Sequence, residues 1–133
     1  MIQGGRVRGG LLKADVAMSL EHSHDLVLKK LRDCFPDPAK AEEALAILES
    51  YGTESWHPGK DRVRLALLKI SKGGIGKLRS YTRGALSDYR NTLVAAEFPE
   101  EGQASSKTPP AEMALIRRRD REQFEAWLRS GAA

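Results

Sequence analysis

The stretch that decides the fold is Arg62–Pro99, RVRLALLKISKGGIGKLRSYTRGALSDYRNTLVAAEFP. Its first arm carries apolar residues at helical spacing, namely Val63, Ala66, Leu67 and Ile70. Its second arm keeps steps of three or four through Ile75, Leu78, Thr82, Ala85, Tyr89, Leu93 and Ala96. Such spacing is typical of one buried helix face and excludes a strand, which alternates. Lys72-Gly73-Gly74 separates the arms, and Pro99 ends the second because proline disfavours helix before it. We therefore predict a helical hairpin whose longer arm is one continuous helix.

Two further helices are predicted ahead of this hairpin. The first runs from about Ser23 to Phe35, with Ser23 as its N-cap. The second begins at Asp37-Pro38, because aspartate is a good N-cap and proline suits the first helical position. Gly52 is expected to end it, as glycine commonly does after a helix.

The composition changes after Pro99. Residues 100–110, EEGQASSKTPP, lack large apolar side chains and are rich in Gly, Ser and Pro, which predicts a mobile linker. A last helix is expected over about Ala111–Arg129. Its middle, residues 117–122, has no apolar side chain for a full turn. The pattern leaves open whether this helix packs on its own core or extends to meet another protein.

Together these segments predict an all-α protein. Residues 21–99 form a compact four-helix core, orthogonal or bundle-like, and residues 1–20 form a flexible N-terminal arm. Residues 100–110 are the linker and residues 111–130 hold the C-terminal helix. A chain of 133 residues is long enough to bury such a core without disulfides or metal.

Composition narrows the class of protein. The single cysteine, Cys34, excludes an intramolecular disulfide, and with no secretory signal it favours the cytoplasm. No apolar run approaches the roughly 18 residues of a membrane span, so we expect no membrane partner. No residue pattern predicts a cofactor, a metal site or a catalytic acid–base pair. On its predicted apolar stripe, Cys34 is expected to be a small core residue.

Charge is unevenly distributed along the chain. Residues 53–98 carry nine Lys and Arg against four Asp and Glu, whereas residues 21–52 carry four against seven. One interpretation is that these two segments pack beside each other with complementary faces. The other is that the basic hairpin faces an acidic partner such as nucleic acid.

The hairpin turn indicates how the basic segment could bind nucleic acid. Gly74-Ile75-Gly76 resembles the turn of the helix-hairpin-helix, which implies binding of the DNA backbone through N–H groups at a helix start. The candidate nucleic-acid-binding residues are Lys72, Gly74, Gly76, Lys77, Arg79, Arg83 and Arg90. Lys72 and Ser80 depart from that pattern, since apolar residues are usual at both positions. A tight helical turn without special function is the competing interpretation.

The end of the longer arm also suggests a family. Asp88-Tyr89-Arg90, Leu93 and Ala96-Glu97-Phe98-Pro99 resemble a group of small uncharacterised bacterial proteins with a D-Y-R-x-x-L-x-x-A-E-[YF]-P helix end. The resemblance implies a bacterial, all-helical, cytoplasmic protein and no known activity.

The sequence therefore favours a non-enzymatic protein that acts through protein–protein contacts or self-association, with the C-terminal helix as the contact element. DNA-backbone binding through the hairpin is the alternative. An enzyme would need a pocket assembled around Trp56, His57 and Tyr89.

Overall fold

The computed structural model describes residues 24–54 and 59–131, and these residues form helices and no strand. The helices are α1 (His24–Cys34), α2 (Pro38–Glu49), α3 (Lys60–Ser71), α4 (Ile75–Ser87), α5 (Tyr89–Glu97) and α6 (Pro110–Arg129), with a short 3₁₀ turn at Glu101–Gln103. The all-α prediction is confirmed. The predicted N-terminal arm (1–20), the Ser23 cap and the Trp56-His57 pair lie outside the described residues.

Helix α3 is the centre of the core. Its six consecutive residues 63–68 are buried, and it packs against α1, α4 and α5. The hydrophobic core also draws on the other helices, and its largest buried side chains include Val27, Leu48, Tyr51, Leu65, Leu67, Leu68 and Leu78. Because a short helix buried on several sides needs neighbours on each of them, α3 dictates the arrangement of the rest.

The ends of α2 follow local sequence rules. Asp37 is the N-cap and its carboxylate accepts a hydrogen bond from the Lys40 backbone N–H at 3.1 Å, with Pro38 as the first helical residue. The helix ends at Glu49, and Gly52 follows with a φ of +101°. A side chain at Gly52 would also collide with Lys60, whose Cβ would lie 2.8 Å from it. Glycine is therefore required there for conformation and for space.

The prediction of one continuous helix from Ile75 to Ala96 is wrong. The chain breaks at Asp88, which has an extended backbone and caps α5 by accepting a hydrogen bond from the Arg90 N–H at 3.1 Å. The periodic seam continues across the break, since Ala85 and Tyr89 are four residues apart on either side of Asp88. Helical periodicity does not reveal a break of this kind, whereas the preference of aspartate for the N-cap position indicates that a new helix can start at Asp88.

Helix α6 packs on the core of its own chain. Phe124, Trp127 and Leu128 join the main hydrophobic cluster, and Ile116 and Asp120 are also buried. The question that the sequence left open is thus answered for the C-terminal helix. None of the described helices has the length and apolar character to cross a membrane.

Candidate functional site

An open groove lies between the end of α5 and the middle of α6. It has a volume of about 850 Å³. We call it the α5–α6 groove; its lining residues are Arg62, Val94, Glu97, Phe98, Glu101, Gly102, Arg117, Arg121, Phe124 and Glu125. Three separate parts of the sequence contribute to it: the start of α3, residues 94–102 and the middle of α6.

The floor of the groove is apolar. Val94 and Phe98 are four residues apart and therefore neighbours on one side of the chain, and both are exposed, at 40% and 36%. Phe124 of α6 lies opposite and is almost fully buried. The other exposed large hydrophobic side chains of the described residues, Tyr81, Leu86 and Leu115, do not line this groove.

One rim of the groove is a bidentate ion pair. The Arg62 guanidinium donates hydrogen bonds to both carboxylate oxygens of Glu97, at 2.9 and 2.6 Å. Glu97 is buried, and its hydrogen bonds raise the pKa of Arg62 above the usual range. Two parallel hydrogen bonds fix the orientation of both side chains. The rim therefore has a defined shape before any ligand arrives.

A second rim comes from the 3₁₀ turn. Arg117 of α6 donates to Glu101 at 3.1 Å. The neighbouring Gly102 lies so close to Val94 that an added Cβ would be only 2.5 Å from the Val94 Cγ1 atom. The turn itself is held by the buried Asp120, whose carboxylate accepts hydrogen bonds from the Glu100 and Glu101 N–H groups at 3.0 and 2.9 Å.

A buried lysine positions α6, which forms one wall of the groove. Lys30 of α1 is fully buried, and its Nζ donates hydrogen bonds to the carbonyls of Trp127 and Ser130 at 2.7 and 3.0 Å. The ammonium also lies 4.3 Å from the centre of the Trp127 ring, a favourable cation–π distance. Burial lowers the pKa of Lys30. These contacts satisfy the last carbonyls of α6 and attach its C-terminus to α1.

Two charged side chains on the α6 rim form no ion pair within residues 24–54 and 59–131. Arg121 and Glu125 line the groove one helical turn apart, and neither forms an ion pair among the residues that the structure describes. They have opposite signs. This edge of the groove therefore offers one donor group and one acceptor group to whatever binds there.

The hairpin turn that the sequence singled out is also well defined. Lys72 and Gly73 adopt left-handed conformations, with φ of 51° and 78°, and end α3. Gly74 is the N-cap of α4, and no side chain of the described residues caps that start. Lys72, Gly76 and Lys77 are exposed. The start of α4 therefore has no side-chain cap from the described residues and lies beside two exposed lysines.

The structure does not bring all the predicted nucleic-acid-binding residues together. Arg79 pairs with Glu43 of α2 at 2.9 Å, and Arg90 pairs with its neighbour Asp88 at 3.0 Å. Lys77 and Arg83 are six residues apart on α4, which places them about 120° apart around the helix. Only Lys72 and Lys77 flank the turn with no ion pair in the described part of the chain.

The other candidate reactive groups are Cys34, possible metal ligands and the predicted pocket around Tyr89. Cys34 is buried, and desolvation raises the pKa of its thiol to about 11, so it is not an activated nucleophile. Across residues 24–54 and 59–131, no cluster of three His, Cys, Asp or Glu side chains is arranged to hold a metal ion. Tyr89 is partly buried against the core, and the other two residues of the pocket expected for an enzyme, Trp56 and His57, lie outside the described residues.

Sequence reasoning missed the groove and the groups that build it. Val94 and Phe98 were not selected because they fall outside the predicted buried seam, and Lys30 and Asp120 resemble ordinary surface charges. A usable signal was present: Val94 and Phe98 share a face that the seam residues do not occupy. No pattern in the sequence links either residue to Phe124 or Arg62.

No protein-family model, curated protein or solved structure matches this chain.

Proposed function

We propose that this protein is a helical interaction module that binds a protein partner in the α5–α6 groove. The observation that carries the proposal is the pair of exposed apolar side chains, Val94 and Phe98, which line an open groove together with Phe124. Scattered single hydrophobic residues are normal on a surface, whereas a contiguous exposed apolar site points to binding.

The composition of the groove resembles that of a protein–protein interface. Its floor is apolar and aromatic, and its rims are polar and charged, which is the usual division between the core and the rim of an interface. The two ion pairs, Arg62–Glu97 and Arg117–Glu101, hold the rims in place. A preformed site of this kind loses little side-chain entropy on binding. The groove is open along one side, which suits a helix or a loop of a partner.

Photo-crosslinking from inside the groove tests the proposal. A benzophenone amino acid replaces Phe98 in one variant and Leu115 in a matched control, because Leu115 is an exposed hydrophobic residue of α6 outside the groove. Both variants are irradiated in an extract of the cells that produce the protein. We expect a discrete protein adduct from position 98 that position 115 does not give.

Equal adducts, or none, from both positions would contradict the proposal. A third variant, Val94→Ser combined with the position 98 label, checks that the adduct depends on the groove surface. We expect its yield to fall several-fold, because a hydrophobic contact at the centre of an interface carries much of the binding energy.

DNA-backbone binding is the second candidate function. The supporting observation is the uncapped start of α4 between the exposed Lys72 and Lys77. Helix starts with exposed N–H groups bind phosphate, and lysines add charge contacts.

Fluorescence anisotropy with duplex DNA tests this candidate at low and near-physiological salt. The variant Lys72→Ala/Lys77→Ala removes two charges at the turn, and Arg118→Ala/Arg129→Ala removes two exposed charges from α6. Salt-sensitive binding that only the first variant loses would support DNA binding. Equal loss of binding in both variants would mean that the DNA contact is a general effect of positive charge. Absence of binding at low salt would contradict this candidate function.

A further inference from the structure

We infer that the occupant of the α5–α6 groove is a second copy of this chain, bound with two-fold symmetry through α6. This inference rests on the proposed function of the groove and names its partner. In the symmetric pair, Arg121 of each copy contacts Glu125 of the other, and each α6 covers the apolar floor of the opposite groove.

The first argument is the distribution of satisfied and unsatisfied charge. Arg62 pairs with Glu97 and Arg117 with Glu101, so four of the six charged lining residues are neutralised within the chain. The other two, Arg121 and Glu125, have opposite signs and form no ion pair with any residue that the structure describes. A strongly acidic or basic partner would match one of them and oppose the other, whereas a second copy of this surface presents both.

The second argument is geometric. Arg121 and Glu125 lie one turn apart on α6, about 6 Å along the helix axis. A two-fold axis that crosses α6 midway between them makes the two copies of α6 antiparallel and sets each arginine against the other copy's glutamate. If one α6 were shifted by one turn relative to the other, so that the two-fold axis crossed α6 at Arg121, the two copies of Arg121 would face each other. Charge thus selects one register, as in other isologous contacts.

The third argument is the cover that this arrangement provides. Val94 and Phe98 line the groove from the α5 side and Arg121 and Glu125 from α6, so in the proposed pair the second α6 covers the two apolar side chains. Their exposed apolar surface is then removed from water, which supplies the main favourable term of the association. The ion pairs contribute register and specificity more than affinity.

The test is a charge-reversal cycle followed by sedimentation velocity over a range of protein concentrations. For the wild type we expect a concentration-dependent species of twice the 14.7 kDa of one chain. Arg121→Glu alone and Glu125→Arg alone should each weaken dimerisation about tenfold or more, since each places like charges at two symmetric contacts. The double variant Arg121→Glu/Glu125→Arg should recover most of the affinity.

The matched control is Arg118→Glu, an exposed arginine of α6 that does not line the groove. It makes the same charge change on the same helix and should leave dimerisation unchanged. Circular dichroism of each variant verifies that the helices are intact. Failure of the double variant to recover, or a wild type that stays monomeric at about 200 μM, far above the usual range of a specific interface, would overturn the inference.

The crosslinking experiment separates the two claims. An adduct from position 98 with twice the mass of the chain supports both. An adduct with a different protein, together with a monomeric wild type, retains the groove as a binding site and rejects the second copy as its occupant. No adduct specific to position 98 rejects both.

Discussion

The hairpin turn at residues 72–76 and the α5–α6 groove differ in how their residues are distributed along the sequence. The turn is contiguous in sequence, rich in glycine and flanked by basic residues, and every feature of it is visible in the linear chain. The groove combines residues from three distant segments, and the exposed apolar side chains of its floor, Val94 and Phe98, have no distinctive pattern in the sequence.

The positive charge of residues 53–98, the basic segment, is a poor predictor of a binding surface at the turn. Much of that charge is used inside the molecule: Arg62 pairs with Glu97, Arg64 donates to the Tyr51 carbonyl at 3.0 and 2.6 Å, and Arg79 reaches Glu43. The last of these joins the basic segment to the acidic one, in agreement with complementary packing. Linear charge density is therefore a weak guide to a binding surface once side chains have found partners within the fold.

The largest expected effect comes from replacing Lys30, which should disturb the groove and leave the turn unchanged. Lys30→Met keeps the aliphatic stem but leaves the Trp127 and Ser130 carbonyls without the donated hydrogen bonds. We expect a loss of about 2–3 kcal/mol in the free energy of unfolding, measured with urea. The α6 wall should loosen while the turn keeps its conformation, which amide chemical shifts of both regions report.

The control is Lys29→Met, an exposed neighbour whose ion pair with Asp33 lies on the surface. Its cost should stay under about 1 kcal/mol. Equal costs for the two variants would mean that Lys30 does not anchor α6.

The next effect concerns Asp120, which joins α6 to the 3₁₀ turn. Asp120→Ala leaves the Glu100 and Glu101 N–H groups without their acceptor, and we expect a loss of about 1–2 kcal/mol. Glu122→Ala, an exposed neighbour, should change stability by less than about 0.5 kcal/mol. Urea unfolding measures both; an Asp120 variant as stable as the wild type would show that the turn does not depend on this cap.

A matched pair of glycine substitutions compares the two regions directly. Gly102→Ala forces the new Cβ against Val94 and should destabilise the protein by about 1 kcal/mol. Gly76→Ala meets no atom within 4 Å and lies in the first turn of α4, so it should stabilise by a few tenths to about 1 kcal/mol through helix propensity. Thermal unfolding reports both signs. A change in stability of the same sign for both variants would contradict the expected difference between groove and turn.

The smallest effect is a change of pKa at the side of the 3₁₀ turn. The Arg119 guanidinium, hydrogen-bonded to Glu100, holds the pKa of that carboxyl below its usual range. The stabilisation from this pair is present above the unfolded pKa and is lost as the pH falls through the folded one. A pH titration followed by NMR should show the low pKa, and Arg119→Gln should return it to the usual range. An unchanged pKa in the variant would assign the shift to another group.

Local rules predicted the helices well where the signals are local. Asp37 and Pro38 start α2 as expected, and α6 runs over Pro110–Arg129 against an expected 111–129. The break at Asp88 was missed because helical periodicity continues across it. Asp88 ends the first helix and starts the next through its extended backbone and the hydrogen bond that its side chain accepts from the Arg90 N–H, neither of which the pattern of apolar residues records.

The candidate site was far less predictable, because its parts interact only through the fold. Nothing near Lys30 in the sequence identifies the end of α6, 97 residues away, as the acceptor of its hydrogen bond. Charged residues are assigned to the surface by default, since few of them are buried without partners. Lys30 and Asp120 are exceptions, and both connect α6 to the rest of the molecule.

The Lys30–Trp127 contact also has a consequence for the order of folding. Closing the loop between Lys30 and Trp127, which are 97 residues apart, costs more chain entropy than forming the contacts of α3 with α4 and α5, which join segments close in sequence. We therefore expect the core of α1–α5 to assemble before α6 attaches to it. During synthesis the groove acquires its second wall only after α6 has left the ribosome. On this expectation, a nascent chain has no complete α5–α6 groove until its last helix has packed onto the core.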